Sequence, residues 1–89
     1  MQQLSNIQDI VQQQSLNTEN LFFYVDGVVA IDYIKTSSTT VKLFTDQTLV
    51  QEEVSLKEIL EYIKLEGMDS GVMIYGTEFE ITDNKILLK

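Results

Sequence analysis

Residues 21–54 read LFFYVDGVVAIDYIKTSSTTVKLFTDQTLVQEEV. β-Branched and aromatic residues come here in short runs separated by turn-forming residues, the pattern of an antiparallel meander. The first run spans 21–25. Asp26-Gly27 separates it from the second, because both residues tolerate the positive φ of a type I′ hairpin turn. The second run, 28–35, is apolar at nearly every position, with Val29, Ile31 and Tyr33 on one side and Val28, Ala30 and Ile34 on the other. Such a strand has both faces covered and is expected at the centre of its sheet. A polar connection at 36–38, a third run at 39–45, a turn at Asp46-Gln47 and a fourth run at 48–54 complete four consecutive hairpin-linked strands.

On the C-terminal side, Ser55 with Glu58 three residues later forms a capping box, and Leu56, Ile59, Leu60 and Ile63 repeat at helical spacing. Gly67 suits the left-handed position after the helix, so that Met68 folds back on Ile63. Gly71 opens a strand at 72–75. Gly76 separates it from 78–82, and Asp83-Asn84 turns the chain into 85–88. In 78–82, Phe79 and Ile81 alternate inward against Glu78, Glu80 and Thr82, which gives that strand one wet face. On the N-terminal side, Leu4, Ile7, Ile10, Val11 and Leu16 fall near helical spacing opposite Ser5, Asn6, Gln8, Gln12 and Gln13, and predict one amphipathic helix over 2–16. The order is helix, four strands, helix, three strands. The expectation is a single domain over 1–89 of α+β class, with a twisted antiparallel sheet of about six to seven strands, helices against one face and no parallel crossover.

The composition restricts the chemistry. The 89 residues carry a net charge of -8 and include no Cys, His, Pro, Trp or Arg. Without thiolates or imidazoles there is neither a disulfide nor the usual set of zinc ligands, so no cofactor and no metal is expected. No apolar run reaches the roughly 18–20 residues that span a bilayer, and the first twenty residues lack a basic segment followed by an apolar one. The expectation is a soluble cytoplasmic protein without a membrane partner, in the host cytoplasm if phage-encoded. The cations are Lys35, Lys42, Lys57, Lys64, Lys85 and Lys89, scattered among fourteen carboxylates. Phosphates would meet a repulsive field, which argues against direct nucleic-acid binding.

Carboxylates alone remain for catalysis. Glu78, Glu80 and Asp83 are the nearest to a set, and they read as solvated surface acids, so the chain is not expected to be an enzyme. The acids are unevenly placed: residues 46–69 hold seven of them against Lys57 and Lys64, whereas Asp9 is the only acid among the first eighteen residues. Glu52, Glu53, Glu58, Glu61, Glu66 and Asp69 would supply a field that imitates nucleic-acid phosphate to a basic protein partner. Tyr62, at the margin of the helix's apolar stripe, and Leu65, on its far side, would supply apolar anchors. Local ion pairs are expected between Glu53 and Lys57 and between Glu61 and Lys64. The function read from these features is a non-enzymatic inhibitor or modulator that covers the basic groove of a nucleic-acid-binding effector. The alternative is a structural or assembly protein, a homodimer joined through Leu4, Ile7 and Val11 of the N-terminal helix.

Residues 31–63, IDYIKTSSTTVKLFTDQTLVQEEVSLKEILEYI, resemble the middle of a LytTR-type DNA-binding domain in their strand, strand, turn and short helix opening Ser-Leu-Lys-Glu. The resemblance covers about a third of the chain and implies a DNA reader. The corresponding segment is acidic here, however, and the downstream basic, histidine-containing motif of such domains is missing. In composition the chain is similar to small acidic phage-encoded inhibitors, including anti-CRISPR proteins and the uracil-DNA glycosylase inhibitor. That likeness implies a DNA-mimic mode of action.

Overall fold

The chain turns a corner at Ala30 and Ile31. A computed structural model describes residues 1–45, 53–69 and 71–89. In it the apolar run 28–35 is two strands: β3 (Val28–Val29) and β4 (Asp32–Ser37), which lie in different sheets. The remaining elements are β1 (Gln2–Gln3), α1 (Leu4–Gln13), β2 (Phe22–Val25), β5 (Thr40–Phe44), α2 (Leu56–Leu65), β6 (Met73–Ile74), β7 (Phe79–Thr82) and β8 (Lys85–Leu88). A single turn of 3-10 helix, Thr18–Asn20, precedes β2. The fold is α+β, with eight strands in two four-stranded mixed sheets ordered β1-β6-β5-β4 and β3-β2-β8-β7.

This corrects the single antiparallel sheet expected from the sequence. Two neighbouring pairs are parallel, β5 with β6 and β2 with β8. The first is joined through α2, the connection a parallel pair requires. The second follows from the burial of β8: Ile86 and Leu88 are fully buried and Leu87 is half-buried, so the strand is central, between β2 and β7. The run 28–35, expected at a sheet centre, instead supplies an edge to each sheet, and Val28 and Ile34 are about half exposed. Alternation along 28–35 is compatible with a bend, and the buried Ala30 sits at the corner itself.

Three backbone hydrogen bonds close the corner. Ala30 N–H donates to the Phe23 carbonyl at 2.8 Å, Phe23 N–H to the Val54 carbonyl at 2.9 Å, and Val54 N–H to the Ala30 carbonyl at 3.0 Å. Val54 thus enters the gap where β3 parts from β2, and Leu56 N–H continues the contact by donating to the Leu21 carbonyl at 2.8 Å. The Phe23, Ala30 and Val54 side chains are essentially without solvent contact. Of the expected fourth strand, 48–52 lies outside the described residues, and Val54 belongs to this ring rather than to a strand.

The expected N-terminal helix begins later than its apolar pattern suggests. Gln2 and Gln3 pair with Ile74 and Met73 as β1. The buried Gln2 side chain donates from Nε2 to the Tyr75 carbonyl at 3.0 Å and the Glu78 carbonyl at 2.9 Å. Leu4, Ile7 and Val11 are buried in the chain's own core. Both helices end in a Schellman arrangement. After α2, Gly67 N–H donates to Lys64 and Met68 N–H to Ile63, at 3.2 and 3.0 Å. After α1, Ser15 and Leu16 N–H donate to Gln12 and Val11, at 3.1 and 3.0 Å, with Ser15 itself at φ 54. The hairpin turns at Asp26-Gly27 and Asp83-Asn84 are as read, with positive φ at all four residues, and the expected Asp46-Gln47 turn lies outside the described residues.

Two backbone positions yield opposite expectations for thermal unfolding followed by circular dichroism. Ser15→Gly relieves a left-handed residue and is expected to stabilise by about 1 kcal/mol, raising Tm by roughly 4–8 °C for a domain of this size. Gly76 has φ 94, and a Cβ there would lie 2.5 Å from the Lys89 carbonyl oxygen. Gly76→Ala is therefore expected to destabilise by about 2 kcal/mol or more.

Candidate interaction surface

α2 is built from local signals. Ser55 Oγ accepts from Glu58 N–H at 3.1 Å, which caps the first turn. The reciprocal half of the expected capping box does not form, and the Glu58 carboxylate instead carries its charge near the Tyr33 hydroxyl on β4. Leu56 and Ile59 are buried in the core, with Leu60 and Ile63 packed against it.

At about 100° per residue, Glu58, Glu61 and Leu65 occupy one side of α2 at i, i+3 and i+7. Leu65 is 86% exposed, the largest value among the exposed large hydrophobic residues described. Glu61 and Glu66 are exposed and Glu58 is half-buried. Glu53 is exposed just before the helix. Asp69 lies elsewhere, past the end of α2, where its Oδ1 accepts from Gly71 N–H at 2.8 Å. Glu52 lies outside the described residues. The structure therefore places Glu58, Glu61 and Leu65 on one side of α2, while Asp69 follows the helix end.

Tyr62 makes contacts within the fold that the sequence reading did not anticipate. Its hydroxyl accepts from Lys35 N–H at 3.0 Å, and its ring meets Tyr33 edge to face with centroids 4.9 Å apart. Both tyrosines are partly buried against the core, so Tyr62 fastens α2 to the edge of β4. The helical wheel places it at a margin, and only the neighbouring strand decides what fills that margin. Burial of Tyr33 and then the hydrogen-bonded, negatively charged Glu58 push the Tyr33 hydroxyl up to about 12.

The ion pairs also differ from the local ones expected. Lys57 Nζ lies 3.0 Å from Glu19 Oε1, across the interval to the 3-10 turn, and that carboxylate holds the lysine's pKa above its ordinary value. The other ion pair among the described residues joins Lys89 to Glu80 at 3.7 Å. Neither Glu53–Lys57 nor Glu61–Lys64 forms. Both observed pairs are exposed and contribute little to stability.

An open groove of about 420 Å³ lies between the helices, a feature the sequence reading missed. Leu4, Leu60, Ile63, Met68 and Val72 give it apolar walls, while Lys57, Glu61, Lys64 and Asp69 bring charges to its lining. The signal was present in the polar residues Ser5 and Gln8 on the flank of α1, but their partner helix was not identifiable from periodicity. On the opposite hairpin, Glu78, Glu80 and Asp83 are all exposed. No helix among the described residues is long and apolar enough to cross a membrane.

No protein-family model, curated protein or solved structure matches the chain.

The Tyr33 environment fixes the direction of an alkaline transition. The folded protein holds this proton more tightly than the unfolded chain does, so the associated stability is complete below pH ~10 and is lost as pH rises through about 12. A tyrosinate absorbance titration should show a late-ionising component that Tyr33→Phe removes. An unchanged late component in that variant would contradict the assignment.

Proposed function

We propose that this chain is a non-enzymatic inhibitor or modulator that binds a basic protein partner through the exposed side of α2. The observation that carries the reading is Leu65, 86% exposed on the last turn of α2 and sharing its side with Glu58 and Glu61. An apolar side chain among acids combines a group that gains from desolvation with charges that speed encounter with a cationic surface. Glu53 and Glu66 extend the negative field at the two ends of the helix. The absence of histidine, cysteine and arginine from the sequence favours occupying a partner over transforming it.

The partner class that suits this surface is a nucleic-acid-binding effector whose phosphate groove the acids would cover, the mode of a DNA mimic. Self-association through Leu4, Ile7 and Val11 is less favoured, because each is at most 3% exposed in the folded chain. Tyr62 is removed from the proposed contact and becomes a positioning residue that keeps α2 against β4.

Affinity capture from the cells in which the protein is made, followed by binding kinetics on the captured protein, tests the reading. The expected partner is basic, releases a DNA or RNA duplex when this chain is added, and binds more slowly as salt rises. Glu61→Lys combined with Glu66→Lys should cut the association rate by about tenfold or more at low salt, and Leu65→Ser should mainly speed dissociation. A partner bound equally well by all of these variants, with their fold intact by circular dichroism, would exclude this side of α2.

A further inference from the structure

Each sheet ends in two edge strands, and three of these four edges are blunted. β1 has two residues and runs directly into α1. β3 also has two and then turns the corner at Ala30. β4 is longer, but Tyr62 Oη accepts from Lys35 N–H, and Asp32 Oδ1 accepts from Tyr33 N–H at 2.8 Å. Natural sheets guard their edges in such ways, because a row of free N–H and C=O groups is a template for another strand.

β7 is the exception. Thr82 pairs with Lys85 across the two-residue turn, and Glu78 and Lys89 exchange backbone hydrogen bonds at 3.3 and 3.0 Å. Antiparallel alternation then commits Glu78, Glu80 and Thr82 to β8 and turns the N–H and C=O of Phe79 and Ile81 to the outer edge. No strand among the described residues pairs with β7 on that side. Gln2 Nε2 closes only the strand's entry, at the Glu78 carbonyl.

The side chains beside this open edge select what it admits. Glu78 and Glu80 are exposed and share one face of the strand, Glu80 in a long, water-screened pair with Lys89 at 3.7 Å, with Asp83 following in the turn. A second copy would bring the same acids to the edge and be repelled. A strand carrying cations at alternate positions would be attracted, since opposite charges on facing strands stabilise and like charges destabilise.

We propose that β7 is a site of strand addition for an extended segment of a partner protein that bears Lys or Arg at alternate positions. Phe79 and Ile81 would supply the main-chain hydrogen bonds, and Glu78 and Glu80 would set the register of the incoming strand. The site goes beyond the surface on α2 and requires nothing from it.

The test is a nuclear magnetic resonance titration of the full chain with a short blocked peptide alternating lysine and valine, and with the same peptide carrying glutamate in place of lysine. With the lysine peptide, the Phe79 and Ile81 amides are expected to shift and to exchange about tenfold or more slowly, while Tyr33 and Lys35 are unmoved. The glutamate peptide is expected to do neither. Glu78→Lys with Glu80→Lys should reverse the preference between the two peptides. Three results would overturn the proposal: shifts confined to Glu58, Glu61 and their neighbours on α2, equal response to both peptides, or protection at Phe79 and Ile81 that grows with protein concentration alone. The last would make a second copy the occupant.

Discussion

The ring of backbone hydrogen bonds among Phe23, Ala30 and Val54 is the constraint from which the rest of the architecture follows. At that point β3 leaves β2, and the chain passes into the other sheet as β4. A parting of two strands in the interior would strand an N–H on Phe23 and a C=O on Ala30, each costing about 1–3 kcal/mol if left unmade. Val54 satisfies both with one peptide unit on either side of its own Cα. Two sheets can therefore share one core without a buried, unpaired backbone group at their junction.

The same ring sets where α2 starts. Val54 is followed at once by Ser55, whose backbone bridges to Phe22 and whose hydroxyl caps the helix, so the helix is anchored at its N-terminus by the residues that close the corner. Farther along, Tyr62 ties it to β4, and the Gly67 ending turns the chain toward β6. The side bearing Glu58, Glu61 and Leu65 is thus presented from a helix fixed at two places. A surface fixed before encounter loses less conformational entropy on binding, which suits the proposed contact with its few apolar anchors.

Local chemistry was legible in the sequence, whereas strand neighbours were not. Ser55, Gly67, Asp26-Gly27 and Asp83-Asn84 each announce a cap or a turn through constraints acting within a few residues, and all four form, Ser55 as a one-way cap. Alternation along 28–35 tells which side chains share a face but says nothing of a bend, so Ala30 looked like the middle of a strand. The central place of β8 depends on pairing with β2, more than sixty positions away, and no period within 85–88 encodes that. The proposed interaction surface divides in the same way. Helical spacing identified Leu65 as outward-facing and grouped Glu58 with Glu61. The role of Tyr62 and the Glu19 partner of Lys57 depend on segments brought close by the fold, which left them outside any local reading.

Native-state hydrogen exchange at Val54 tests the central claim most directly. If the ring joins the two sheets, the amides of Phe23, Ala30 and Val54 exchange only through global unfolding, with one common free energy equal to that from denaturant melts. Exchange of Val54 at a clearly lower free energy, independent of denaturant while Phe23 stays protected, would show that the corner opens locally and would contradict this account.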